Sequence, residues 1–181
     1  MRRGYTIRDF RLAVEELTER FDDPSITTDV IVGHPGETED DFSETIERCR
    51  EFGFSKIHVF PFSMREGTLA ATLKREVVDP AEVRRRAGEL GAVDRELNCE
   101  YRERFIGREF DVLVEGVSRG RDDWLEGMAG RYLKVAFPAP SPGAARRFQG
   151  TLQRVKIDKI SESGLDGHWD EVPVDASGVA L

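Results

Sequence analysis

The sequence predicts a mixed α/β region followed by a small all-β region. Helical apolar periodicity and β-branched runs alternate along the first hundred or so residues, whereas the chain after Ile106 consists of short alternating segments. Gly-, Pro- and Asp-containing turns separate those later segments. A length of 181 residues accommodates one domain, or a medium domain with a small second one.

The first helix and the first strand are predicted from residues 6–32. Thr6 and Asp9 form a capping box, after which Phe10, Val14, Leu17 and Phe21 recur at helical spacing until Asp22-Asp23-Pro24. Residues 26–32 are rich in β-branched side chains and have no helical period. This run predicts a parallel strand that is buried on both faces.

A second helix and strand complete a βαβ unit. Thr38 and Asp41 form another capping box, the helix presents one apolar face, and Gly53 provides its C-terminal stop. Residues 56–62, KIHVFPF, predict the second strand. The two strands are therefore expected to be parallel, with a right-handed crossover.

The rest of the chain divides into a long helix, a β region and a tail. Asp79-Pro80 with Glu82 begins a helix that connects the two regions and continues towards Arg104. The segments FDVLVEG, YLKVAF and GTLQRVKIDKI predict a small β-barrel or sandwich within residues 106–160. Residues 138–147 are predicted to be a loop, and residues 161–181 a loosely ordered acidic tail.

Composition narrows the class of protein. No apolar run approaches 18 residues and no signal-peptide pattern follows Arg2 and Arg3, so the sequence predicts neither a membrane span nor export. Its two cysteines, Cys49 and Cys99, form no CxxC motif or cluster with histidine, and both are expected to be packing or ordinary thiols. A cytoplasmic protein without a local metal site is expected.

The stretch DVIVGHPGET, residues 29–38, is a candidate ligand turn. Gly33 and Gly36 could let backbone N–H groups approach an anionic or polar ligand. A tight βα turn that only reverses the chain explains the same residues. The spacing is neither that of a Walker loop nor that of GxGxxG.

Two loops are predicted to meet at the carboxyl ends of the two strands. Residues 33–37 and 61–65 follow those strands, where ligands of α/β sheets bind. Apolar surface from Val32, Pro35, Phe60 and Pro61 suits an adenine ring rather than proton transfer. Asp29 is expected to serve a structural hydrogen bond or a ligand hydroxyl, while His34 and His58 lack a partner that would indicate catalysis.

The region 106–160 combines cations with aromatic side chains. It has 10 Lys/Arg against 7 Asp/Glu, although the whole chain has a net charge of −8. Cations that neutralise phosphates and rings that stack on bases suit RNA on an OB-like barrel, but an ordinary solvated surface explains the composition equally. The candidate RNA-binding residues are Arg119, Arg121, Arg131, Lys134, Arg147 and Lys156.

Four segments together resemble the C-terminal portion of the radical S-adenosylmethionine methylthiotransferases. They are RRGYT, TTDVIVGHPGETEDDF at 27–42, FSKIHVFPFSMREGT at 54–68 and FIGREFDVLVEG at 105–116. The HVFPFSMREGT segment most resembles the branch that methylthiolates N6-threonylcarbamoyladenosine beside the tRNA anticodon. His34 replaces the family's usual phenylalanine, and Phe62 replaces a common tyrosine.

The resemblance implies a fold and a set of cofactor residues. Residues 1–75 would form the C-terminal part of a partial TIM-like radical SAM barrel, residues 76–105 a connecting helix and residues 106–160 an RNA-binding TRAM barrel. Carried over by position, the residues that seat S-adenosylmethionine would be Asp29, Gly33, Pro35, Gly36, Phe60 and Pro61.

The resemblance also implies parts that this sequence does not contain. The family's CxxxCxxC motif and a further N-terminal domain bind two [4Fe-4S] clusters, and Met1 is expected to correspond to an internal methionine. The chain alone is therefore expected to be an inactive fragment that needs the missing N-terminal part and binds tRNA. The alternatives are a non-catalytic RNA-binding module with a structural α/β remnant and an unrelated α/β nucleotide-binding protein.

Overall fold

A computed structural model describes residues 4–72, 77–141 and 145–170. The chain forms two compact units, Met1–Tyr101 and Arg102–Leu181. The first contains α1 (Ile7–Arg20), β1 (Thr27–Val32), α2 (Glu39–Phe52), β2 (Lys56–Pro61) and most of α3 (Pro80–Glu103). The boundary predicted between residues 75 and 76 cannot be placed, because residue 75 and residue 76 lie outside the described ranges.

The two predicted capping boxes are confirmed. The Asp41 N–H donates to Thr38 Oγ1 at 3.2 Å, and the Asp41 carboxylate accepts from the Thr38 N–H at 2.9 Å. Thr6 and Asp9 make the equivalent pair of bonds at the start of α1. Gly53 ends α2 in the left-handed conformation, with φ 60°. Side chains therefore satisfy N–H groups that helix starts leave without partners.

Strands β1 and β2 form the predicted parallel pair, with Thr27 opposite Lys56 and Val32 opposite Pro61. Val30 and Val32 pack, together with Ile57 and Val59, against the apolar faces of α2 and α3. The prediction that β1 is buried on both faces is wrong, because Asp29 is exposed on the face opposite these core residues. Alternate side chains of one strand point to opposite faces, so this sheet has one packed face and one open face within residues 4–72.

Helix α3 belongs to the core of the first unit as well as connecting the two regions. Leu90, Val93 and Leu97 are buried in the same cluster as the strands. Asp94 is buried and accepts a hydrogen bond from the Ile57 N–H at 2.7 Å, which fixes the start of β2.

Along the described ranges, no helix combines the length and the apolar character needed to cross a membrane.

The second unit is a closed five-stranded β-barrel. Its strands are β3 (Glu109–Val117), β4 (Trp124–Ala129), β5 (Leu133–Pro138), β6 (Leu152–Ser161) and β7 (Gly164–Trp169). Their order is β3-β4-β5-β7-β6, with β6 paired back to β3. All neighbours are antiparallel except β5 and β7, which are parallel. A short helix, α4 (Ala145–Phe148), interrupts the predicted loop before β6.

The predicted boundary at residue 160 is wrong, because β7 lies inside the predicted tail and closes the barrel. Its sequence, GLDGHW, shows no alternation of polar and apolar residues, since glycines occupy two of its buried positions. A Cβ atom at Gly164 or Gly167 would overlap the backbone of Lys134 or Lys156, respectively. These glycines allow close strand approach. The last part of the predicted tail, residues 171–181, lies outside the described ranges.

Candidate functional site

The glycine turn after β1 is a reverse turn that leads into α2. The Glu37 N–H donates to the His34 carbonyl at 2.9 Å, which closes a four-residue turn. Pro35 occupies the second position and Gly36, with φ 85°, the third, as a type II turn requires. Thr38 then caps α2. The sequence HPGE thus defines the backbone path between strand and helix.

A buried ion pair holds this turn from inside the unit. Arg86 of α3 is 4% exposed, and its Nη1 lies 2.7 Å from Glu37 Oε2. The same carboxylate oxygen accepts a hydrogen bond from the Gly33 N–H at 2.6 Å. Arg86 Nη1 also donates to the Glu37 carbonyl at 3.1 Å. The Gly33 N–H therefore has a protein partner and is not presented to a ligand.

Gly33 satisfies a packing requirement. Its φ is 78°, and a Cβ atom placed on it would lie 2.5 Å from Val83 Cγ2. A side chain here would be both in an unfavourable backbone conformation and in collision with α3. Gly33 faces Val83 of α3 and lines neither of the two cavities described below.

The open face of the sheet carries a cavity of about 590 Å³. Asp29 and Ile31 of β1 reach it because they alternate with the core residues of that strand. Phe60, which pairs with Ile31 in the register, and Pro61 contribute from β2. The loop after β2 completes the lining with Phe62, Ser63, Arg65 and Thr68.

A second cavity, of about 310 Å³, adjoins the turn. Pro35 and Gly36 line it, and Ile31 and His34 line both cavities. The His34 ring packs edge-on against Phe62, with centroids 5.2 Å apart, and its Nδ1 lies 3.0 Å from the Pro35 carbonyl oxygen. His34 thus stands between the two cavities.

The six predicted cofactor residues do not all line the same cavity. Asp29, Phe60 and Pro61 share the larger cavity, Pro35 and Gly36 line the smaller one, and Gly33 lines neither. Sequence reasoning missed Ile31 and set His34 aside. Strand alternation from Asp29 could have identified Ile31, whereas the loop residues Ser63 to Thr68 carry no periodic signal.

The larger cavity combines flat apolar surface with hydrogen-bonding groups. Phe60 and Pro61 can contact a planar ring, while the Asp29 carboxylate can accept hydrogen bonds from hydroxyl or amino groups. Arg65 adds a permanent cation that suits a ligand carboxylate. The arrangement favours binding of a polar molecule that carries an aromatic ring.

In the barrel, two of the predicted RNA-binding cations are held in ion pairs. Both terminal nitrogens of Arg121 lie 3.0 Å from the carboxylate of buried Asp166, and its guanidinium stacks 4.1 Å from the centroid of Trp124. Lys134 Nζ lies 3.0 Å from a carboxylate oxygen of Glu126. The Arg121 geometry indicates a structural role in closing the barrel.

The other four predicted cations have different surroundings. Arg131 lies over the rings of Phe105 and Phe110, at 5.8 and 6.0 Å. Arg119, Arg147 and Lys156 are exposed and form no ion pair with other described residues. These three positions are therefore the most accessible of the predicted set to phosphate groups.

Comparison with known proteins gives a consistent set of relatives, although no family model matches the chain. The sequence is 39% identical over 170 residues to tRNA-2-methylthio-N(6)-dimethylallyladenosine synthase of Chloroflexus aurantiacus, covering 92% of this chain and 35% of that protein. The protein of the same name from Clavibacter michiganensis is 39% identical, over 99% of this chain and 37% of its own length. The one from Bacillus subtilis is 34% identical, over 92% of this chain and 32% of its own length.

These relatives bear on the predicted family and on the predicted branch. Their name describes a tRNA methylthio modification, as the sequence resemblance implied. It specifies dimethylallyladenosine, so it does not support the predicted threonylcarbamoyladenosine branch. The chain spans about a third of the length of each relative. Over nearly its whole length, this chain is thus similar to part of the tRNA-2-methylthio-N(6)-dimethylallyladenosine synthases.

Proposed function

We propose that this chain is part of a tRNA methylthiotransferase that acts on dimethylallyladenosine by radical S-adenosylmethionine chemistry in the cytoplasm. The observation that carries the proposal is 39% identity over 92% of the chain to a synthase of that name. The first unit contributes one wall of the cofactor site, and the barrel contributes a surface that binds tRNA.

The larger cavity of the first unit fits S-adenosylmethionine in its chemistry. Phe60 and Pro61 would contact the adenine ring, Asp29 would accept hydrogen bonds from hydroxyl groups and Arg65 would pair with the carboxylate. Pro35 and Gly36 would border the site through the adjoining cavity. Bound there, S-adenosylmethionine would supply the radical that abstracts hydrogen from the modified adenosine, once an electron from a [4Fe-4S] cluster held outside this sequence cleaves it.

The residues of this chain do not fit an iron-sulfur cluster. Within residues 4–72, 77–141 and 145–170, no three metal-ligating side chains come together. Burial raises the pKa of the Cys49 thiol to about 11, whereas a cluster requires thiolates. We therefore place the ligands of the two [4Fe-4S] clusters outside this sequence, in an N-terminal part that would be its partner.

The barrel supports the RNA part of the proposal. Five strands whose third and fifth members are parallel make an OB-type barrel, a common platform for single-stranded nucleic acid. Arg119, Arg147 and Lys156 supply exposed cations. Arg131, over the Phe105 and Phe110 rings, is the fourth cation of the proposed set. Arg121 is left out of this set because Asp166 already neutralises it.

The test of this function uses the DNA upstream of the Met1 codon and the modified nucleosides of tRNA. The upstream frame is expected to encode CxxxCxxC, and the longer reading frame would be expressed in a bacterium that lacks its own methylthiotransferases. Mass spectrometry of tRNA hydrolysates should then show the methylthio derivative of dimethylallyladenosine.

The same experiment separates the two branches. HVFPFSMREGT favours threonylcarbamoyladenosine, and accumulation of its methylthio derivative alone would move the proposal to that branch. Stop codons upstream without the cysteine motif, or the absence of both products, would contradict the enzyme proposal.

A second candidate function is a non-catalytic RNA-binding module. The observation in its favour is that the barrel forms a compact unit separate from the α/β unit. The full chain would then bind tRNA in a salt-dependent manner without binding S-adenosylmethionine. Because this chain supplies only one wall of the cofactor site, calorimetric titration of the longer reading frame with the cofactor distinguishes the two candidates.

A further inference from the structure

The turn between β4 and β5 places two bulky residues in a backbone conformation that favours glycine. Ala129 pairs with Leu133, so Gly130, Arg131 and Tyr132 form the connection. Arg131 has φ 64° and Tyr132 has φ 57°, whereas the neighbouring Gly130 does not have a positive φ. Two adjacent side chains in the left-handed region cost free energy that glycines would avoid.

One side of this turn is anchored to the barrel. Phe105 and Phe110 pack edge to face with centroids 5.6 Å apart, and the Arg131 guanidinium lies over both rings. Arg108 lies over the same two rings, at 5.3 and 5.9 Å. The contact of Arg131 with this aromatic pair therefore anchors one side of the turn.

Tyr132 lies next to this anchor, and 85% of its surface is exposed. The other described aromatic side chains of the barrel unit are buried or, like Trp124 beneath Arg121, half-buried. An exposed ring on a strained and anchored turn contributes nothing to the core. Strain of this kind is characteristic of functional positions.

We propose that Tyr132 is a stacking site for an unpaired nucleobase of RNA. Every base has a flat π face, so one anchored ring can bind bases without selecting the sequence. Arg131, which directly precedes Tyr132 in the chain, adds positive charge for an adjoining phosphate. The inference rests on the proposed RNA-binding function and assigns its base contact to one residue.

The test compares substitutions of Tyr132 that distinguish the effect of losing the ring from the effect of relieving the backbone strain. Tyr132→Gly removes the ring and relieves the strain, so this chain should become more stable to heat while its RNA affinity falls about tenfold. Tyr132→Trp keeps a stacking surface and should retain affinity within about twofold. The probe is a fluorescein-labelled single-stranded RNA of about ten nucleotides, measured by anisotropy.

Two further variants control the comparison. Tyr132→Asn removes the ring but tolerates the left-handed conformation, so it replaces the glycine variant if that one misfolds. Leu152→Ala truncates another exposed apolar side chain of the barrel unit, 67% exposed, and should leave affinity unchanged.

The outcomes separate this inference from the function on which it rests. If the unaltered chain binds the RNA and the glycine and asparagine variants bind equally well, Tyr132 is not a base contact. If the unaltered chain does not bind RNA at all, the RNA-binding part of the proposed function fails, and the inference fails with it. Lower thermal stability of both the glycine and the asparagine variants would show that the ring serves the fold, which also contradicts the inference.

Discussion

Gly33 shows how one residue meets two separate requirements. Its φ of 78° favours glycine, and Val83 of α3 occupies the space that a Cβ atom would need. From the sequence, the same glycine suggested a cofactor contact. The geometry gives it a structural reason that the sequence pattern of the turn could not reveal, because Val83 lies 50 positions along the chain.

We predict that Gly33→Ala lowers the free energy of unfolding by about 2 kcal/mol, since it adds both backbone strain and a collision with Val83. Chemical denaturation followed by circular dichroism measures the change. Adding Val83→Ala should recover less than the full loss, because it relieves the collision but not the strain.

The matched control is Gly88→Ala in the exposed part of α3. Nothing lies within 4 Å of a Cβ atom at that position, and its φ is not positive. Alanine should therefore raise stability by about 0.5 to 1 kcal/mol, in accordance with helix propensity. Equal effects at the two glycines would contradict the account given for Gly33.

At the scale of elements, Arg86 joins α3 to the turn that ends β1. Its guanidinium is almost completely buried, and it pairs with Glu37, whose side chain is only 12% exposed. The adjacent Arg85 also forms ion pairs, with Glu39, Glu82 and Glu89, but its side chain is 43% exposed. Two neighbouring arginines thus form ion pairs in very different dielectric surroundings.

We predict that Arg86→Met lowers the free energy of unfolding by about 3 kcal/mol, because it leaves the Glu37 carboxylate buried without a cation. Arg85→Met should cost less than about 1 kcal/mol, because exposed ion pairs are screened by water. Adding Glu37→Gln should restore part of the stability of Arg86→Met. A larger loss for Arg85→Met than for Arg86→Met would contradict this assignment.

Some elements could be predicted from the sequence because their signals are local. The Thr38–Asp41 capping box and the βαβ pattern depend on residues close together in the chain, and both are present in the structure. Strand β7 was missed because the reason for its buried glycines lies in the neighbouring strands. Residues 61–65 were predicted to lie where a ligand binds, but which of their side chains line the cavity could not be predicted, because a loop has no periodicity.

At the scale of the whole molecule, the basic residues of the barrel divide into structural and accessible groups. Arg121 forms a two-bond pair with Asp166 of β7, which lies 45 positions along the chain. Lys156 is exposed on β6 and has no ion-pair partner among the described residues. Counting cations in the sequence could not separate these roles, because the separation depends on which acidic side chain the fold brings near.

We predict that Arg121→Met and Lys156→Met affect different measurements. Arg121→Met should lower the free energy of unfolding by about 3 kcal/mol, because Asp166 remains buried without its partner. Lys156→Met should leave stability within about 0.5 kcal/mol and reduce the slope of log affinity for RNA against log salt by about 0.7 to 0.9. An unchanged slope for Lys156→Met would exclude this lysine from the proposed RNA-binding surface.

The pairing around Val155 of β6 has a consequence for protein engineering. Val155 is opposite Phe110 of β3 on one side and opposite Trp169 of β7 on the other. The first and last strands of the barrel therefore pass within two strand spacings of each other, about 10 Å. A short linker could connect such ends, so this barrel could be grafted into a surface loop of a carrier protein, or circularly permuted, as a transferable cassette.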